Sequence, residues 1–161
     1  MKKAKLINGI FYLFFSLLIL AVGVAISNRW YTYSINVTHS LTGIVYVIKK
    51  NEPVAKGDYV GFRWRGDKFY SKDAIFVKVV KGVAGDVVTV KGNDVFINGE
   101  YVGTAKEKSA RGLPLETIKP TVLKEGEYFV GTPNKDSYDS RYESVGTIKQ
   151  KELIGRAYEL F

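Results

Sequence analysis

Ser40, in the run Asn36-Val37-Thr38-His39-Ser40-Leu41, and Lys78, 38 residues later in Ile75-Phe76-Val77-Lys78-Val79-Val80-Lys81, are the two side chains whose types and settings point to bond-making chemistry. A serine hydroxyl is too weak an acid to attack an amide unaided and needs a base within hydrogen-bond reach. The chain has few bases to offer. Cysteine is absent and His39 is the single histidine, which leaves no thiol nucleophile, no disulfide framework and no Cys/His metal cluster. His39 adjoins Ser40, and successive side chains of an extended segment point to opposite faces, so a Ser-His-Asp triad built on this serine is disfavoured. On a strand, Phe76, Lys78 and Val80 share one face, which flanks the lysine with apolar groups. Burial disfavours an ammonium, and lowering a lysine from ~10.4 to about 7.5 costs roughly 4 kcal/mol. A neutral amine of that kind accepts a serine proton. Two readings stand beside this one: Lys78 snorkels to the surface along its aliphatic stem, or Lys81, on the opposite strand face beside Gly82, takes the role.

These residues must be positioned by a chain of 161 residues, 46% of them hydrophobic, enough for one core and a membrane segment. Residues 6–26 carry no charge, and as a helix they span about 31 Å, close to the thickness of a bilayer core. Residues 1–5 form a basic tail with Lys2, Lys3 and Lys5, while Trp30, Tyr31 and Tyr33 suit the far interface. The reading is a tail at 1–5, a membrane anchor at 6–27 and an exported catalytic domain at 28–161, with the N-terminus inside. The competing reading is a cleaved signal peptide, because Ala25-Ile26-Ser27 has the small residues of a cleavage site. Beyond Thr38, short runs rich in Val, Ile, Tyr and Phe alternate with Gly, Asp and Asn, which predicts a mostly β domain. Candidate strands are 44–48, 59–63, 75–81, 86–91, 94–97, 128–131 and 153–158. Asn98-Gly99 closes a tight hairpin, and the polar stretch 104–120 reads as a loop or insertion rather than core. Part of the +8 formal charge sits in the basic tail, and the remainder is a mild bias that solvated surface explains as readily as an anionic partner.

In order along the chain, these segments resemble the type I signal peptidase family, and most closely its conjugative-transfer, TraF-like branch. Ile35-Asn36-Val37-Thr38-His39-Ser40-Leu41, followed by Tyr46, is similar to the nucleophile block. Phe76-Val77-Lys78-Val79-Val80-Lys81-Gly82-Val83-Ala84-Gly85-Asp86 is similar to the lysine block, in which the lysine precedes a Gly-x-x-Gly-Asp turn by four residues. Gly131 to Tyr142, containing Ser137, Asp139 and Arg141, resembles the last family block, and Leu153-Ile154-Gly155-Arg156-Ala157 the closing strand. Lys56-Gly57-Asp58-Tyr59-Val60-Gly61-Phe62 and the Ile97-Asn98-Gly99 hairpin add weaker matches. Thr42, Ala84 and Thr132 depart from residues common in the family.

The resemblance implies a signal-peptidase-like β-barrel or coiled-sheet domain behind one transmembrane helix, single-pass in the inner membrane with the catalytic domain outside. It implies Ser40 as nucleophile and Lys78 as general base, with Thr38 and the Ser40 N–H as oxyanion donors, Ser137 orienting the amine, and Asp139 and Arg141 in support. The substrate is then an extended segment of an exported precursor with small residues near the cut, from a conjugation or secretion apparatus. Membrane lipid is a partner, no nucleic acid partner is expected, and neither cofactor nor metal is needed. Two alternatives are a general type I signal peptidase and, from another class, an anchored basic β module that catalyses nothing. The latter would bind nucleic acid or anionic lipid, with Trp64 between Arg63 and Arg65 stacking on a base.

Overall fold

The computed structural model describes residues 2–37 and 40–161, the first six of these by their backbone alone. Thr38 and His39 therefore lie outside the described residues. Helix α1 (Lys2–Ser27) carries the charge-free run, and its stretch Asn8–Ser27 is long and apolar enough to cross a membrane, with none of its residues buried. An α-helix satisfies its backbone groups internally, which is what a segment crossing a membrane requires.

The rest of the chain is mostly β, as its alternating pattern predicts. A seven-stranded sheet holds β1 (Tyr31–Ile35), β2 (Val45–Lys50), β3 (Tyr59–Arg63), β4 (Ile75–Gly82), β9 (Glu127–Gly131), β10 (Ile148–Lys149) and β11 (Leu153–Glu159). Their spatial order is β1-β2-β11-β3-β4-β9-β10. The smaller sheet, in the order β7-β6-β5-β8, holds β5 (Val87–Lys91), β6 (Asp94–Ile97), β7 (Glu100–Thr104) and β8 (Thr121–Val122). Strands β1, β8 and β10 are additions to the segments read from the sequence, whereas β7 is the second arm of the hairpin expected at Asn98-Gly99. Tyr31 and Tyr33, read as interfacial aromatics, belong to β1, the edge strand next to β2.

Strand β4 sorts its side chains by the period of two. Phe76 and Val80 contribute to a cluster with Val60, Phe62, Trp64, Val130 and Tyr142, whereas Ile75, Val77 and Val79 pack with Leu41, Tyr46, Ile48 and Ala157. Both faces of the sheet are therefore covered at β4, and a residue in mid-strand has little access to water. Two glycines turn the chain from β4 into β5. A Cβ at Gly82 would come within 2.9 Å of Leu123 Cδ1, so a side chain there would displace that leucine, and Gly85 takes φ +89°, a conformation costly for other residues. The Asp86 carboxylate closes that turn by accepting the Val83 N–H at 3.0 Å. The predicted hairpin is present between β6 and β7, with Asn98 and Gly99 at φ 53° and 83°, as a two-residue turn with both central residues left-handed requires. Residues 105–120 contain no strand, yet Ala105 and Ile118 are buried in the two neighbouring clusters, so this polar stretch does supply core.

Trp64 is not a surface aromatic. It is 1% exposed and stacks on Phe76 with ring centroids 5.5 Å apart. The alternation that exposes Arg63 and Arg65 turns the residue between them inward, so the indole is not available to a nucleic acid base.

Candidate active site

Lys78 sits in mid-strand on β4, an interior strand between β3 and β9, opposite Val60. Its side chain is 5% exposed, with the Phe76 ring 5.8 Å from Nζ. Burial lowers its pKa from 10.5 to about 8, with the Asp139 carboxylate pulling it back up and the Arg141 guanidinium adding to the decrease. Lys81 is half-buried and does not line the cavity that contains Lys78.

The pairing of β9 with β4 ends at Gly131, opposite Val79. One residue later the chain leaves the sheet, and the loop 132–141 occupies the space beside Lys78. Ser137, 3% exposed, accepts a hydrogen bond from Lys78 Nζ at 2.8 Å. Two sets of contacts hold the loop in place. Ser140 exchanges hydrogen bonds with Val130, its Oγ accepting the Val130 N–H at 3.0 Å and its own N–H reaching the Val130 carbonyl at 3.0 Å. Arg141 Nε and Nη2 meet the two Asp139 carboxylate oxygens at 2.8 and 2.9 Å, a bidentate pair with side chains 3% and 0% exposed. The same guanidinium donates to the carbonyls of Asn134 (3.0 Å), Ser137 (3.1 Å) and Thr104 (3.3 Å). It thereby ties the loop to itself and to the end of β7. Burial opposes the charge on Arg141, but Asp139 outweighs it and holds the guanidinium above its ordinary pKa.

Ser40 is 7% exposed and approaches from the other side, on the connection between β1 and β2. Asn36 organises this connection. Its Nδ2 donates to the carbonyls of Leu41 and Gly43, both at 2.9 Å, and its Oδ1 accepts from Ser40 Oγ at 3.4 Å. Leu41 anchors the turn by packing in the cluster that contains Val77. The Tyr46 hydroxyl accepts the Gly43 N–H at 3.0 Å, and Glu159 on β11 lies beyond it at 3.4 Å. The family resemblance gives Asn36 no role. The signal available for it is that asparagine commonly bonds to its own backbone in turns.

Ser40, Lys78 and Ser137 all line one cavity of about 240 Å³. Asp139 and Arg141 stand behind Ser137 and outside that lining. Thr38 is outside the described residues, so its hydroxyl is not located. A buried serine and a lysine of lowered pKa facing one small cavity form a constellation suited to acyl transfer.

Residues 5–161 match the family described as signal peptidase, peptidase S26. The chain belongs to this family. It is 34% identical over 115 residues to Signal peptidase I of Bacillus licheniformis, a match covering 64% of this chain and 61% of that one. It is 31% identical over 87 residues to Probable signal peptidase I-2 of Synechocystis, covering 53% of this chain and 38% of that one. Signal peptidase I S of Bacillus subtilis is 29% identical over 114 residues, covering 64% and 61%. The matches thus span less than two thirds of these relatives' own lengths. Among solved structures, a signal peptidase I from Enterococcus faecalis aligns with a TM-score of 0.40 and 20% identity over 65% of this chain and 97% of that one. In this peptidase-family chain the three separated blocks that carry the sequence resemblance meet at one cavity: the Ser40 turn, the Lys78 strand and the Ser137 loop.

Proposed function

We propose that this protein is a membrane-anchored serine endopeptidase that removes leader or signal segments from exported precursors, with Ser40 as nucleophile and Lys78 as general base. The observation that carries the reading is a lysine 5% exposed, with its pKa at about 8, lining the same cavity as a serine. With the amine neutral, Lys78 Nζ takes the Ser40 hydroxyl proton as Oγ attacks the precursor's carbonyl carbon. The oxyanion is met by the Ser40 N–H and, by the family resemblance, the Thr38 hydroxyl, each donor contributing about 3 kcal/mol. The resulting ammonium gives its proton to the leaving amine as the peptide bond breaks. A water molecule then hydrolyses the acyl-enzyme by the same proton route in reverse. Ser137, accepting from Nζ at 2.8 Å, fixes where the amine points during both transfers. Asp139 and Arg141 act by holding the loop that carries Ser137.

Helix α1 is the proposed anchor, retained in the working protein, with residues 1–5 on the cytoplasmic side and the β domain outside. Tethering enzyme and precursor to one bilayer raises their effective concentration. The nucleophile block favours precursors of a conjugation or secretion apparatus. The three relatives, each named a signal peptidase I, favour the second reading, a general type I signal peptidase. Deleting the protein separates them: loss of bulk secretion marks the general enzyme, loss of one transfer or secretion system the specialised one.

The catalytic assignment is tested with full-length Ser40→Ala in lipid vesicles, presented with a leader-bearing precursor. Cleavage should fall at least about a thousandfold while the circular dichroism spectrum stays that of the wild type. Processing at near wild-type rate by the folded variant would refute it.

A further inference from the structure

A second cavity, of about 360 Å³, adjoins the first and shares Tyr70, Asp136, Ser137 and Tyr138 with it. Its wall is aromatic and braced. Tyr138 stacks on Tyr70 and on Tyr142, both at 5.6 Å between centroids, and its hydroxyl donates to Asp67 at 2.6 Å and accepts from Ser144 Oγ at 2.7 Å. Burial and the Asp67 carboxylate keep that phenol protonated well above its usual range, so it serves as a fixed donor. The mouth is basic: Lys106, Lys108 and Arg111 all line it, against a single acid, Asp136. Lys106 pairs with Asp136, which leaves Lys108 and Arg111 as exposed positive charges that no acid of the lining offsets.

The position of Ser137 assigns this cavity a place along the substrate. In the proposed reaction the leaving amine must come to Lys78 Nζ, and Nζ donates to Ser137 Oγ at 2.8 Å on the wall the two cavities share. The peptide released as the amine therefore departs along the Ser137–Tyr138 side. An extended chain advances about 3.3 Å per residue, so its first few residues reach the second cavity. The geometry points to this cavity as a specificity subsite for the released product, binding an acidic side chain just after the cut, with Tyr70, Tyr138 and Tyr142 against its stem and Lys108 and Arg111 on its carboxylate. This rests on the proteolytic reading above and adds to it a preference for charge on the leaving side.

The test uses full-length enzyme in vesicles and internally quenched peptides sharing one leader half, with Glu or Gln at one of the first few positions after the cut. The readout is the ratio of kcat/KM for the Glu and Gln peptides within each enzyme, which cancels any change in folded fraction. The wild-type ratio should be about ten at one position, the size of one good charge-assisted contact. It should drop to about one in Lys108→Gln/Arg111→Gln and stay at the wild-type value in Lys91→Gln/Lys151→Gln, which removes two exposed charges outside both cavities. A wild-type ratio near one at every position, or a ratio that survives the first double substitution or falls equally in the second, overturns the subsite. The same is true of an acid preference found before the cut instead. Serine-dependent cleavage without charge preference sinks only this inference, whereas cleavage that persists in Ser40→Ala sinks the proteolytic reading, and failure to cleave any peptide sinks both.

Discussion

Lys78→Met should give a protein about 2 kcal/mol more stable than the wild type at pH 7 and unable to process a precursor. Burial holds the folded-state pKa of Lys78 at about 8, below the ordinary 10.5 that the unfolded chain keeps. Below pH 8 both states carry the proton, and the folded state bears the full cost of a charge in an apolar setting. That gap corresponds to about 3 kcal/mol at ~1.36 kcal/mol per pH unit. Losing the hydrogen bond to Ser137 offsets roughly 1 kcal/mol of it. Between pH 8 and 10.5 the folded protein releases the proton first, so the wild type gains stability with rising pH and the advantage of methionine shrinks toward zero. Urea unfolding of both proteins at pH 7 and pH 10 measures the two differences. A methionine variant that is equally or less stable at pH 7 would mean that the amine does not carry that cost.

Arg141→Met should be the most destabilising single change in the site, costing about 3 to 5 kcal/mol, because it leaves the Asp139 carboxylate, 0% exposed, without its partner. It also frees the carbonyls of Asn134, Ser137 and Thr104. Removing both charges in Asp139→Asn/Arg141→Met should recover most of the loss, since the residual cost is then of polar groups rather than a buried ion. A cycle of the two single variants and the double, followed by denaturant unfolding, should give a coupling of about 2 kcal/mol or more. Additive losses would show that the pair does not act as a unit in holding the loop.

The elements that carry the site differ in how plainly the sequence announces them. The alternation of Phe76, Lys78 and Val80 places the lysine inward, and the apolar neighbours on both sides of it explain its burial. The Asn98-Gly99 turn is equally plain, since few residue pairs accept two left-handed conformations. Strand β1 is hidden because Tyr31-Thr32-Tyr33 directly follows an anchor and fits an interface as well as a sheet edge. Trp64 misleads in the opposite way: two flanking arginines give it the look of surface, although the period of two demands that it point inward when they point out. The Ser137 loop is legible only through family resemblance. Its shape depends on Arg141 binding three main-chain carbonyls, and a carbonyl has no residue type to read. Asn36 is intermediate, recognisable as a turn former but not as the residue that closes the turn around Ser40.

The proposed mechanism requires one buried amine, that of Lys78, to lose its proton at a pH of about 8. The direct measurement is an NMR titration of 13Cε-labelled lysine in full-length Ser40→Ala, with Lys78 assigned by its absence in Ser40→Ala/Lys78→Met. One lysine should titrate with a pKa of about 8 and be missing from the double variant. A Lys78 resonance that titrates near 10.5 with the others would contradict it.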